Sequence, residues 1–538
     1  MMKLINNLIN IKRSVLALFI FVFSLSLLFL TGCNEQEKVK ILRVYNWQEY
    51  IDDGTDDGNK VYNSVMEDFE IWYEEKYGEK IIVQYETFET NEVMLNTLKT
   101  GKTEYDLVCP SEYAIQKMIK NDMIIKYDFN LKDKNGDLIF SNYGNISDYI
   151  INLFKEDSYH LDEYAVPYMW GTMGFIYVNN EDETNIENGF TGFDEEEVKH
   201  WDVLWETDLK ASAKDSIRDT YVVGVMYYYR DELRQNREVY LEAKEAYDAH
   251  FEDYQNGLIS ENEYKAFYDE FKLKQDIYRK SCGEIMNRCD DETIKHVEEV
   301  LVEMKDNIYS FEVDNGKNDI VTGKISLNFA WSGDAVYSMD VAEEEEGVNL
   351  YYSVPEEGIN VWFDGWVMPK GANVELAQSF VNYLCSEEIA IRNMDFIGYT
   401  SSVVGDEILN RIDENYGVEE GDEGYDVDLT YLFGSHVSDD KKDENGRVIV
   451  TVSERGRQFD AQYPDEEVIS RCGIMEDFGD QYSKVLALWE NVKIGHISPI
   501  ANIIVIVGIV LMVAFVYGSK LYRNYIRRKR KEKFRVTE

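Results

Sequence analysis

The chain has 538 residues, with 103 Asp and Glu against 55 Lys and Arg and a formal charge of −48. A field of that sign repels phosphodiesters, so nucleic acid is excluded as a partner class, whereas a cationic ligand is compatible with it. Six cysteines without a CxxC pair and six scattered histidines argue against zinc, and the length allows two domains besides terminal segments.

Residues 1–32 read as a lipoprotein signal peptide. Lys3, Lys12 and Arg13 precede an apolar run from Val15 to Leu30, and Leu30-Thr31-Gly32-Cys33 sets small residues before a cysteine. On that reading Cys33 carries lipid, 33–40 is an anchored linker, and the domain that follows lies outside the cytoplasmic membrane. Ile41–Tyr45 predicts a short strand entering a loop of Asn46, Trp47, Gln48, Glu49 and Tyr50. Ligands gather at the carboxyl ends of strands in α/β domains. Two aromatic faces with a carboxylate suit an organic cation there, although such aromatics also pack cores.

Ile81–Tyr85 and Tyr105–Cys109 predict strands, with a helix near Asn91–Lys99 between them. Met173–Val178, Ile325–Ala330 and Val361–Met368 are further strand segments, and the alternation predicts mainly parallel sheets flanked by helices. Residues 228–307 differ: they are charged, Tyr-rich and helical in period. Asn256-Gly257 breaks the pattern, and Ser260 with Glu263 forms a capping box. A helical hairpin plus a third helix is expected, as an insertion. Its aromatics, among them Tyr247, Phe251, Tyr254, Tyr264 and Phe271, read as the hairpin's own seam, with a docking surface as the alternative. Asp443-Glu444-Asn445-Gly446 predicts a turn into a strand at Val448–Val450.

Residues 499–518 are uncharged and rich in Ile and Val, and nine basic residues follow from Lys520 to Arg535. A transmembrane helix at 499–518 with a basic cytoplasmic tail at 519–538 is expected. The part between signal and tail then carries a charge of about −58. Lipidation of Cys33 leaves five cysteines; Cys282 and Cys289 could pair locally, while Cys109 and Cys385 sit in apolar contexts. Gly101-Lys102-Thr103 lacks the first glycine of a phosphate loop, and the Asp53–Gly58 stretch lacks the closing glutamate of a calcium loop. No GxSxG or HExxH motif occurs.

Nine segments in one order carry a resemblance: Val44–Tyr50, Tyr85–Glu92, Tyr105–Tyr113, Val166–Gly171, Trp201–Trp205, Asp215–Asp219, Ala330–Ala335, Val361–Asp364 and Phe396–Tyr399. Together the chain resembles the bacterial spermidine/putrescine-binding proteins of polyamine ABC transporters. The likeness covers about residues 40–490, outside the insertion and parts of 403–460.

The resemblance implies an α/β, two-lobed periplasmic-binding-protein fold of type II-like form, here with the helical insertion and the C-terminal transmembrane helix. Lobe one would be 41–174 plus 363–402 and lobe two 175–361 plus 403–490, closing on a hinge around ligand. It implies a polyamine in an aromatic box matched by Trp47, Tyr50, Tyr113, Trp331, Trp362 and Tyr399, with acidic positions at Glu49, Asp219 and Asp364. Ser111 matches a polar cleft position, and Gln48 stands for a threonine. An ABC permease is the implied partner; no cofactor, metal or catalytic group is implied.

The sequence departs from the pattern at Ser216, where the family often has a second aspartate, and at Asp219, where glutamate is common. The family's late glutamine has no counterpart near Arg471–Asp477. The alternatives are the same fold with another small cation or an amino-acid-like ligand, a membrane-tethered sensor, or a hydrolase with a carboxylate pair.

Overall fold

The structure, a computed structural model, describes residues 39–494 except 57, 58, 102 and 420, together with scattered positions between 511 and 526. The signal segment and Cys33 lie outside the described residues. One expectation is corrected: among the described residues no helix is long and apolar enough to cross a membrane. The transmembrane helix at 499–518 is therefore unsupported, and with it the cytoplasmic placement of 519–538. A run without charges supplies the length for a span but does not by itself establish one, and most of 499–518 lies outside the described residues.

Strand β1 (Lys40–Trp47) is followed by helix α1 (Val65–Tyr77), which starts on a reciprocal capping box of Ser64 and Glu67 and ends at Gly78, φ 66°. The helix returns the chain to β2 (Ile81–Phe88), parallel to β1 from Lys40 opposite Ile81 to Trp47 opposite Phe88. Helix α2 (Asn91–Thr100) leads to β3 (Leu107–Val108) on the other side of β1, and α3 (Glu112–Lys120) follows directly. Such parallel neighbours need a helical crossover, which the alternating pattern supplies.

Strand β4 (Ala165–Val178) is buried along its whole length and carries the chain into a second α/β half. There stand β5 (Ala211–Lys214) and helix α4 (Ile217–Tyr228). Three helices come next: α5 (Arg230–Gln255), α6 (Glu261–Met286) and α7 (Asp291–Asn307). Then follow β6 (Ser310–Glu312), β7 (Leu327–Trp331), helix α8 (Ser332–Val341) and β8 (Leu350–Ser353). Strand β9 (Ile359–Pro369), also buried throughout, returns to the first half.

The sheet order is β2-β1-β3-β9-β4-β7-β5-β6, with β8 paired to β4. It is mixed rather than mainly parallel. Strand β4 leaves the first half and β9 re-enters it, so the two run antiparallel from Val361 opposite Thr172 to Val367 opposite Ala165, with a register shift between Asp364 and Gly365. A bulge of this kind bends its strand and re-aims the neighbouring side chains.

The α5–α6 hairpin packs on its own aromatics. Tyr247 lies 4.9 Å from Phe271 and 5.8 Å from Tyr264, ring to ring, and Tyr240 stacks on Tyr278 at 5.4 Å. The capping box of Ser260 and Glu263 starts α6. Arg279 of α6 reaches Glu156 of the first half at 2.9 Å. Cys282 is buried on α6, Cys289 sits beyond its end, and both are free thiols, so the local pair does not form.

Candidate functional site

The carboxyl ends of β1, β3 and β7 and the middle of β9 converge on one buried cluster. Asp364 is its centre and is only 6 % exposed. Its Oδ2 accepts the Tyr50 hydroxyl at 2.8 Å, and its backbone bridges to Ser111. Its Oδ1 is buried without a hydrogen-bond partner among the described residues.

The Tyr50 ring meets the edges of Tyr168 at 5.6 Å and Tyr399 at 5.4 Å, and Tyr399 meets Trp362 at 5.4 Å. Trp362 is fixed by its indole N–H on the carbonyl of Thr172 at 3.1 Å. Asn91 donates both to Ser111 Oγ at 3.1 Å and to the Tyr113 hydroxyl at 2.8 Å, holding α3's first turn against α2.

Asp219 lies in the first turn of α4, buried, with its backbone N–H on Ser216 Oγ at 3.3 Å. Ser216 is thus the helix cap, which gives this departure from the family pattern a structural task. Trp331 is part-buried at the end of β7, and Trp47 packs on Phe88 at 4.6 Å. Tyr50, Ser111, Tyr113, Asp219, Trp331, Trp362, Asp364 and Tyr399 therefore gather at the junction of the two halves. Trp47 stands beside them, while Gln48 and Glu49 do not enter the cluster. Both are exposed on the turn, and Glu49 is in the left-handed region at φ 50°.

The electrostatics are unbalanced. Burial pushes the Asp364 carboxyl up to about 7, against the Tyr50 hydrogen bond and the nearby Ser111 hydroxyl and with help from the Asp219 charge. Burial likewise raises Asp219 to about 6, opposed by Ser216, Arg218 and Lys214, and raises Glu112 to about 8, opposed by the backbone N–H of Phe363. Buried carboxylates of this kind require a partner cation or a proton. Among the described residues no three His, Cys, Asp or Glu side chains are grouped to hold a metal ion. Aromatic faces beside an under-neutralised acid pair suit an organic ammonium.

Several contributors escape sequence reasoning. Gly333 lies flat under Tyr399, where a Cβ would overlap the ring, and a Cβ at Gly171 would come within 2.8 Å of the Trp362 ring. Asp334 accepts the Tyr399 hydroxyl at 3.0 Å and the ammonium of buried Lys214 at 3.0 Å. A glycine beside an aromatic in Trp-Gly and Trp-Ser-Gly is the available signal for the first two; Lys214 offers none. Gly333→Ala is expected to force Tyr399 aside and destabilise the protein by about 1–3 kcal/mol. A shift of the urea midpoint checks this, and an unchanged midpoint would show that the ring yields freely.

A two-lobed α/β fold with a polar, aromatic-lined site at the junction defines a solute-binding protein. The model of the bacterial extracellular solute-binding protein family matches residues 67–404, and the chain belongs to that family. It is 26% identical over 366 residues to the putrescine-binding periplasmic protein SpuD of Pseudomonas aeruginosa, covering 67% of this chain and 77% of that one. It is 26% identical over 362 residues to the spermidine/putrescine-binding periplasmic protein of Salmonella typhimurium, covering 66% and 76%.

Among solved structures, PotD of Streptococcus pneumoniae aligns with a TM-score of 0.50 at 21% identity over 85% of this chain and 99% of its own. The TpPotD lipoprotein of Treponema pallidum aligns with a TM-score of 0.52 at 16% identity over 84% and 99%. The resemblance read from the nine sequence segments thus holds. The relatives are binding proteins rather than enzymes, and so is this chain.

Proposed function

We propose that the protein captures a linear polyamine, putrescine or spermidine, at the junction of its halves and delivers it to an ABC permease. The observation that carries this reading is Asp364, buried with one oxygen on Tyr50 and the other unpartnered, beside the rings of Tyr399 and Trp362. An ammonium placed there completes the carboxylate's hydrogen bonds, and the methylenes of the ligand lie on aromatic faces. A charge-assisted hydrogen bond contributes about 1.5–3 kcal/mol and a desolvated cation–π contact about 2. Two such anchors are compatible with micromolar binding, about −8 kcal/mol, after ordering costs. The names of the relatives support the same ligand class.

Titration calorimetry of the purified protein with putrescine and spermidine tests this. Saturable binding of at least one is expected, and no heat from either in folded protein would sink the polyamine reading. A second reading, a cationic amino acid, is favoured by Arg218 next to Asp219, whose Nε and Nη1 are buried without hydrogen-bond partners. Lysine and ornithine belong in the same titration, and tighter binding of either would favour it.

A further inference from the structure

We propose that Lys214 is a built-in ammonium that occupies one cation position of the site and so selects a diamine over a triamine. The inference rests on the polyamine reading and concerns which member of that class is admitted. Lys214 ends β5 and is 1 % exposed. Its Nζ donates to Asp334 Oδ2 at 3.0 Å and to the carbonyl of Val313 at 2.9 Å, lies 3.2 Å from the Glu312 carboxylate, and stands 4.4 Å from the centre of the Trp331 ring. Two carboxylates, a carbonyl and an aromatic face are what a ligand ammonium requires in a water-excluded site. Here the chain's own side chain meets that requirement.

The consequence is a count of acceptors. Asp334 faces the box through Tyr399, whose hydroxyl donates to Oδ1 at 3.0 Å, and Lys317 approaches the same oxygen at 3.7 Å. Burial alone would push the Asp334 carboxyl up. The Lys214 and Lys317 ammoniums, with the hydrogen bonds from Lys214 and Tyr399, outweigh it and hold the carboxyl below its ordinary range, so its charge is already neutralised. The Glu112 carboxylate is turned to the backbone N–H of Phe363 at 3.0 Å. Glu112, raised to about 8, keeps its proton at neutral pH, which leaves Asp364 and Asp219 as the carboxylates open to a ligand ammonium. An amine group extending along the box toward Trp331 would approach a fixed positive charge and find the nearest carboxylate taken. A ligand with one more ammonium than the free acceptors is disfavoured there, as a like charge is in any low-dielectric site.

The test is calorimetry with putrescine and spermidine on the intact protein and on Lys214→Met. Wild type is expected to bind putrescine more tightly. In Lys214→Met, which removes the ammonium shared by Asp334 and Glu312, the spermidine-over-putrescine affinity ratio is expected to rise at least tenfold. Adding Asp334→Asn, which keeps the Tyr399 acceptor but removes the charge, is expected to bring the ratio back toward wild type. If Lys214→Met does not fold, Lys214→Met with Glu312→Gln leaves one free carboxylate and carries the same expectation. A folded lysine-less variant with the wild-type ratio, or a wild type that prefers spermidine, overturns the inference while leaving the polyamine reading intact. Binding of neither amine by wild type overturns that reading, and this one with it.

Discussion

Asp364→Asn is expected to weaken polyamine binding by about a hundredfold or more and, at the same time, to stabilise the ligand-free protein above pH 7. The first effect follows from removing one partner of a buried charge pair, which costs about 2–5 kcal/mol. The second follows from the sign of the shift. The folded carboxyl is raised to about 7, against about 4 when exposed, by burial and the neighbouring Asp219. Its contribution to stability is fully present below the exposed value and is lost as pH rises through 7. Asparagine resembles the protonated form at every pH, so at pH 8 the variant should resist urea better by about 2–4 kcal/mol. Wild-type affinity in the variant would remove Asp364 from the site. Lower stability at pH 8 would show that the carboxylate is already neutralised by something else.

Ligand affinity is expected to climb with pH between about 5 and 8, by about a hundredfold or more, and binding is expected to release protons near neutrality. Free Asp364 and Asp219 hold protons up to about 7 and 6. An arriving ammonium favours the ionised forms and must displace those protons, while its own charge is constant over this range. Because the two carboxyls interact, the release belongs to the pair rather than to either residue. Calorimetric heats at pH 6.5 should therefore vary with the ionisation enthalpy of the buffer, and Asp219→Asn should shrink that variation. Heats independent of buffer would mean that both groups are ionised before ligand arrives.

What was readable from sequence follows the range of the interactions involved. Strand segments such as Ile81–Tyr85 and Val361–Met368 announce themselves through apolar and β-branched runs, and they fall within Ile81–Phe88 and Ile359–Pro369. Capping at Ser260 is a four-residue pattern and equally local. On β9, two-residue alternation sends Trp362 and Asp364 to one side, so both appear among the residues of one motif. The first stretch of β4, Ala165–Thr172, escapes the same reading because Pro167 and Gly171 interrupt its apolar run. The outward turn of Gln48 and Glu49 depends on one left-handed backbone angle at Glu49, which nothing in its residue type demands. Lys214 and Gly333 are the deepest omissions, since their roles exist only through Asp334 and Tyr399, far away along the chain.

The 26-residue helices α5 and α6 have a consequence for the order in which the molecule assembles. Their seam is closed by partners as near as Tyr247 and Tyr264, 17 residues apart, whereas Tyr50 and Asp364 are separated by 314. Local pairings form on the microsecond scale, but long-range ones wait on a large loss of chain entropy. The hairpin is thus expected to form early, with the first half an unfinished sheet until β9 pairs with it. In that interval β3 and β4 present buried-type strands with open edges, the condition in which chains stick to one another. The cluster around Asp364 lies on the seam of longest sequence separation, so a chain that has formed it has also paired β9 with β4.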